Sequence, residues 1–311
     1  MTDLLTPPSA PAPAEQRPSL RHISPRTRNR KLVNSVVNVL LTIAIVIACI
    51  PLLLILYVVL QRGVGAIAIE FFTSDQGPFQ REGGGFRHGF FGTFYIMVIA
   101  IPLAVIMGVA TSVYLVEYGK GGKLASAVRF VTDVMTGVPS IFVGLVVYAT
   151  LIRGTGLGLG FGTFVAGIAI ALIMLPIVVR SCEEMLKLVP DSVRNASAGL
   201  GARKWQTTTR VVLPAAAPGL ATGSMLAVAR GAGETAPLLL TALGSLYMVT
   251  AFQGEAQTSL PQLIYQHARQ PFPPGLEKAW GGALCLVAIT LIFTVIARTV
   301  GARFAARREG M

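Results

Sequence analysis

A six-span, all-α membrane protein is the fold class this sequence predicts, and three observations predict it. Of 311 residues, 53% are hydrophobic and 13% charged, with a mean hydropathy of +0.66, proportions that belong to an integral membrane protein. The apolar residues gather into six runs near the ~20 residues that carry a helix across a bilayer. The basic residues fall asymmetrically about those runs. With the N-terminus inside, 19 of the 26 Lys and Arg lie in cytoplasmic pieces and 6 in outer loops, and Arg230 sits inside a span. That bias is the positive-inside pattern, and it places both termini in the cytoplasm of a cell-membrane protein. A net charge of +12 distributed in this way argues against a nucleic-acid-binding surface.

Residues 1–31 are rich in Pro, Ala and Arg without apolar periodicity, which predicts a disordered cytoplasmic tail. Its last residues, Arg26 to Lys31, abut the first span, where anionic membrane lipid attracts them. Residues 32–311 form the membrane domain. Span one, Leu32–Leu60, is too long for a cleavable signal and is expected to stay as an anchor. The outer loop Gln61–Gly89, with Gly83 to Gly85 and Phe86, is long enough to meet an extracytoplasmic protein and equally compatible with a solvated loop. Span two is Phe90–Val116. Span three, Val134–Ile152, starts beside Arg129 and Asp133, whose spacing of four predicts an interfacial helix pair. The Gly137-Val-Pro139-Ser140 run predicts a proline kink within the bundle. Spans four, five and six are Phe161–Val179, Ala215–Leu243 and Trp280–Val300.

Several chemistries are excluded by what is missing. No Gly-x-x-x-x-Gly-Lys-Ser/Thr occurs, and Gly119 to Lys123 fails its spacing, so no P-loop binds ATP. His22, His88 and His267 stand apart, too few for an intramembrane zinc site. Ser140 and Ser224 lie in spans without an intramembrane His or Lys to act as base. Cys49, Cys182 and Cys285 have no short spacing and read as buried small apolar residues. The chain is expected to be no enzyme and to hold no cofactor or metal.

Between spans four and five lies a polar segment, about 188–214, that cannot lie in lipid because its backbone groups would go unpaired. Pro190-Asp191-Ser192 predicts a helix start with a side-chain cap. Val189, Val193, Ala196 and Leu200 recur on one helical face, and Gly199 and Gly201 are expected to end the helix in the left-handed conformation. Ala202 to Val212 predicts a second short helix, carrying Arg203, Lys204 and Arg210 outward and Trp205 toward a partner. Pro214 is expected to mark the turn into span five.

Span five contains Arg230-Gly-Ala-Gly-Glu234-Thr235-Ala-Pro237. Arg230 and Glu234 are four apart and predicted to pair on one helical face. Gly231 and Gly233 predict close helix approach. Charges in the hydrocarbon region mark either a polar pathway or a bundle-interior pair, and two readings stay open here. One is an internal salt bridge. The other is an anion path in which the Arg230 guanidinium, suited to a tetrahedral oxyanion, is served by Glu234 and Thr235.

The hairpin resembles the EAA loop of binding-protein-dependent ABC-importer permeases, Glu-Ala-Ala-x3-Gly-x9-Ile-x-Leu-Pro, with unbroken spacing. Ala196, Gly201, Leu213 and Pro214 stand at matching positions and Val211 replaces Ile. Asn195 replaces Glu, which removes a charged contact, and Ser197 replaces the second Ala. Three further stretches resemble the PstA-type permeases of phosphate importers: Gly137 to Gly144, Arg230 to Leu238, and Leu260 to Tyr265 ahead of Trp280. The resemblance covers about Phe90 to Val300. It implies a bundle of the type I ABC importer permease kind. It implies Asn195, Ala196, Ser197, Gly199, Gly201, Leu213 and Pro214 as the coupling surface for an ATP-binding subunit present in two copies. It further implies a second, PstC-type permease subunit, an extracytoplasmic phosphate-binding protein of the PstS type, and inorganic phosphate as the solute. A permease for another oxyanion, or a secondary transporter or channel without an ATPase, is the alternative.

Overall fold

The computed structural model describes residues 25–119, 121–154 and 158–309. It divides into two units, Met1–Tyr57 and Val58–Met311. Most of the predicted tail, residues 1–24, lies outside the described residues. The first unit holds most of α1 (Pro25–Gly63), which takes in the predicted first span. Its leucines, isoleucines and valines are exposed from Leu32 to Ile55, as an anchor helix whose solvent is hydrocarbon requires. Cys49 is exposed among them, which corrects its expected burial.

The second unit is built on α3 (Arg87–Val113), α6 (Thr163–Lys187) and α9 (Leu213–Ala232). Their facing side chains, among them Ala100, Ala104, Ala166, Ile170, Met174, Val178 and Val228, form the main core. Lipid gives helices no hydrophobic reason to associate, so close approach through small residues decides the packing. On α9 the small residues Gly219, Gly223, Ala227 and Gly231 recur every fourth position. A methyl on Gly219, Gly223 or Gly231 would stand 2.6 Å from Met185, Ser181 or Met174 of α6. Gly233 has no such neighbour within 3.6 Å; it ends the helix instead of packing it. Among the other elements, α12 (Pro273–Glu309) lies against α9 and against α11 (Leu260–Ala268).

Two predicted spans differ from what is observed. Val134–Ile152 is not one helix. It is broken between α4 (Lys123–Gly137) and α5 (Ser140–Val147), which meet at 108°. Val138 and Pro139 are extended, with ψ of 128° and 133°, because a residue before proline is driven from the helical region and proline has no N–H to continue the ladder. Past Val147 the chain runs on as a wide π turn, Tyr148–Gly154. The five unbroken candidate spans and this bent pair account for six crossings by length and composition. Span five, predicted as Ala215–Leu243, instead occupies one continuous helix from Lys204 to Ala232. It closes at Gly233, and a short α10 (Leu238–Thr241) follows.

The segment 61–89 is folded, not loose. After a 3₁₀ turn at Val64–Ala66 and α2 (Ile69–Thr73), it packs Phe71 and Phe86 onto Leu260, Leu263 and Cys285. Arg87 Nη2 donates to Asp75 Oδ2 at 2.8 Å and its Nε to Oδ1 at 3.2 Å. Lys278 donates to the Gly83 carbonyl, and the His267 ring rests between Phe79 and Phe86 at 4.8 and 4.6 Å.

This elbow is acid-sensitive by construction. The Arg87 hydrogen bonds hold the Asp75 carboxyl below the usual carboxylate range against an opposing effect of burial. Burial pushes His267 down to about 4, and the positive charge of Lys278 helps. A histidine whose folded value lies below 6.5 gives its full support above that pH and loses it as the pH falls toward 4, because the unfolded chain binds the proton first. Asp75 loses its share lower still. Amide protection across residues 69–90, relative to the intrinsic exchange rate at each pH, is expected to fall between pH 6.5 and 4, and His267→Gln to reduce that fall, buried His88 supplying the remainder.

Candidate functional site

The hairpin is an exposed platform with a defined closure. α7 (Asp191–Gly199) starts after extended Pro190, with no side-chain cap from Asp191 or Ser192; Asp191 instead pairs with Arg194 at 3.3 Å. At its end the Gly201 N–H donates to Ala198 and the Ala202 N–H to Ser197, at 2.9 and 3.2 Å. This is a Schellman closure, and Gly201 supplies its left-handed residue at φ +80°. Gly199 is the last helical residue and is not left-handed, which corrects half of that expectation. Val189 is buried, so the stripe that faces out is Val193, Ala196 and Leu200, the last 91% exposed, with Asn195 beside it. Ser197 Oγ lies 2.9 Å from Thr207 Oγ1, tying α7 to α8 (Lys204–Thr207).

The predicted second short helix is the beginning of the long helix to Ala232. α8 passes through a π turn, Thr208–Val212, straight into α9. Pro214 therefore marks no change of direction: the widened turn takes up its missing N–H. Leu213 packs against the main core. Trp205 is half exposed, 51%. Together Val193, Leu200 and Trp205 form an apolar surface in an otherwise polar segment, of the kind that marks a protein contact.

Arg230 lies at the other end of that helix, about 26 residues and 39 Å of helical rise from Lys204. It does not share a helical face with Glu234, because the helix stops at Ala232. The chain turns back, Glu234 N–H donating to the Gly231 carbonyl, and the carboxylate still reaches Arg230 Nε at 3.4 Å. The Arg230 side chain is 60% exposed and that of Glu234 15%. Among the described residues the two terminal guanidinium nitrogens have no partner.

Arg230 forms one wall of a cavity of about 260 Å³; Met135, Thr136, Val138, Ser140 and Val143 of α4 and α5, with Leu172, Ile173, Pro176 and Ile177 of α6, form the rest. Ser140 is the first residue of α5, so the positive end of a broken helix meets the cavity beside a guanidinium. The break is held by close contact: a methyl on Gly144 would lie 2.6 Å from Pro237 Cα. Residues 137–144 and 230–237, two separate motifs in the sequence, thus meet at one place. Thr235 is not on the wall. Its carbonyl accepts the Leu238 and Leu239 amides and starts α10.

Ion pairing at the hairpin end of the bundle differs from the prediction. Arg129 does not pair with Asp133. Its Nε donates to buried Glu183 of α6 at 2.8 Å, and Asp133 pairs with Arg180 at 3.1 Å. Lys187 is a second partner of Glu183, at 2.8 Å. Arg194 reaches Glu117, in the π turn Tyr114–Tyr118 that ends α3, at 3.0 Å. Glu117 and Glu183 escaped the sequence reading, although isolated carboxylates at the ends of apolar runs near several Arg and Lys are a usable signal.

The fold and this pair of sites define a class: a multi-span membrane subunit that carries an exposed docking hairpin. The family profile described as "binding-protein-dependent transport system inner membrane component" matches residues 100–309, and the chain belongs to that family. It is a non-catalytic, multi-pass inner membrane permease subunit, and the family works with an ATPase and a binding protein. Its relatives define the branch. The phosphate transport system permease protein PstA 1 of Mycobacterium tuberculosis H37Rv is 39% identical over 289 residues, covering 92% of each chain. PstA of Mycobacterium leprae is 40% identical, covering 86% of this chain and 87% of its own. For PstA of Haemophilus influenzae the figures are 35%, 86% and 94%. These place the chain among PstA-type permeases. Among solved structures, a bacterial alginate ABC transporter aligns with a TM-score of 0.62 at 15% identity, covering 89% of this chain and 98% of its own. The MetNI methionine ABC transporter aligns at 0.54 and 18%, covering 70% and 94%. At those identities the likeness is one of fold.

Proposed function

We propose that this chain is the permease subunit of an ATP-driven inorganic phosphate importer, forming half of the translocation path and coupling it to a separate ATPase. One observation carries the reading. A single continuous helix joins the exposed hairpin to a half-free guanidinium at the mouth of a cavity beside a broken helix. A helix is a stiff connector, so displacement of the hairpin reaches Arg230 with little loss.

In this reading both termini are cytoplasmic, as the distribution of Lys and Arg supports. Asn195, Ala196, Ser197, Gly199 and Gly201 dock one of two ATPase subunits, and Leu213 and Pro214 carry its movement into α9. A PstC-type permease completes the other half of the path, and a PstS-type protein delivers phosphate from outside. Phosphate is held by the free edge of Arg230, by Thr136 and Ser140, and by the positive end of α5. Glu234 orients the guanidinium through Nε and leaves its terminal nitrogens for the solute. Thr235 acts through the turn that positions Glu234.

The test is radiolabelled phosphate uptake at low external phosphate in cells lacking this chain and any redundant phosphate system, with sulfate uptake as control. Restoration of phosphate uptake by the wild-type gene, with sulfate unchanged, is the expected result. Unchanged phosphate uptake on deletion would overturn the assignment.

A further inference from the structure

The continuous helix α8–α9 explains how movement of the hairpin reaches the Arg230 side of the cavity. It does not explain how the opposite wall, formed by α4 and α5, is kept in step. Within α7 every residue is exposed except Arg194 and Ser197. Ser197 bonds only within the hairpin, so Arg194 is the α7 side chain that reaches beyond it; from α8, Lys204 Nζ lies over the ring of Tyr118 in the same π turn at 4.9 Å. Its side chain is 15% exposed, and all three guanidinium nitrogens are engaged. Nε and Nη2 reach Glu117 Oε1, each at 3.0 Å, Nη2 also donates to the Leu186 carbonyl at 2.9 Å, and Nη1 donates to the Val189 carbonyl. The two carbonyls lie at the end of α6, the negative pole of that helix, where a cation is favoured.

Glu117 continues the connection. It is buried in the π turn that ends α3, and the Leu115 carbonyl of the same turn accepts from Arg129 Nη2 at 2.9 Å. Arg129 belongs to α4 and is fixed to α6 through Glu183; Asp133, one turn further on, is fixed to α6 through Arg180. Two residues beyond Asp133, α4 supplies Met135 and Thr136 to the cavity and then breaks at Pro139. A chain of ionic and hydrogen-bonded contacts thus runs from the hairpin through the π turn and α4 to the wall that faces Arg230.

We infer that Arg194 is a positioning residue that couples the hairpin to the α4–α5 wall through Glu117, so that one displacement of the hairpin moves both walls of the cavity. This inference rests on the proposed ATP-driven transport. With the contact cut, the hairpin still carries α9 but no longer sets α4, and ATP is hydrolysed without the cavity changing access. Arg194 makes no contact with solute and offers the ATPase little surface. The three-point geometry needs a planar fork, which lysine lacks. A single neutral replacement leaves Glu117 buried and unpaired, which is costly in itself, so the informative variants are Arg194→Lys and the double variant Glu117→Gln with Arg194→Gln.

The experiment uses the whole complex reconstituted in vesicles with the binding protein, measuring phosphate uptake and ATP hydrolysis in the same preparation. The expected result is that both variants co-purify with the ATPase and hydrolyse ATP near the wild-type rate, while phosphate moved per ATP falls about tenfold. A ratio equal to wild type, or uptake and hydrolysis falling together, would overturn the inference, the second outcome marking a plain docking or folding defect. Wild-type vesicles that accumulate no phosphate on adding ATP would overturn the transport reading, and the linkage with it.

Discussion

Replacing Arg230 with Gln is expected to reduce phosphate uptake by about ten- to a hundredfold, the worth of a charge-assisted hydrogen bond of roughly 1.5–3 kcal/mol. Two effects act together. The cavity loses the cation whose terminal nitrogens are unpartnered among the described residues. Glu234, with its side chain 15% exposed, then presents an unpaired negative charge beside the cavity and repels an anion. The hairpin at the other end of the helix is untouched, so assembly with the ATPase should survive. Arg230→Lys is expected to recover part of the loss, since it restores the charge but not the paired donors. The measurement is initial uptake rate in cells with equal membrane levels of each variant. Full activity of Arg230→Gln would reduce the Arg230–Glu234 contact to a structural bridge.

A second large effect is expected at Gly201. A β-branched residue there must adopt φ near +80°, which costs about 1–2 kcal/mol for any L side chain. If it refuses, the Schellman closure opens, and Leu200 and Trp205 no longer present one surface. Gly201→Val should therefore weaken binding of the ATPase by about tenfold or more and lower uptake with it. Gly199→Ala, at an ordinary helical position with nothing near a built methyl, should leave the closure intact and weaken ATPase binding far less than Gly201→Val. Co-purification of the ATPase with each variant, quantified against wild type, checks both. The contrast matters because the two glycines are two residues apart and look alike in the sequence.

Much of the architecture was legible because membrane spans are written in composition. A helix in lipid needs a long apolar run and nothing else local, and the runs containing Leu32–Leu60, Phe90–Val116 and Trp280–Val300 lie inside observed helices. The start of α7 at Pro190 and its end at Gly201 were legible for a similar reason: both are decided by backbone preferences of single residues. Distant contacts were not legible. Arg129 and Asp133 have the right spacing to pair with each other, but Glu183 and Arg180 lie nearer in space, some 50 residues away in sequence. Pro139 announced an irregularity, yet neither the 108° bend nor the approach of Gly144 to Pro237 just beyond it could be read, the latter being a contact between two segments that sequence order keeps apart. Span five was drawn too far because Pro237 to Leu243 is apolar. Hydropathy does not register that Gly233 has already ended the helix.

The central claim is that this chain moves phosphate only when a separate ATPase drives it. The most direct measurement is accumulation of radiolabelled phosphate in vesicles containing the complete wild-type complex, with the binding protein on the side of uptake and ATP on the opposite side. Accumulation that requires both ATP and the binding protein, and none with sulfate, is the expected result. Accumulation without ATP would contradict it and point to a secondary transporter or channel; equal accumulation of sulfate would contradict the assignment of phosphate.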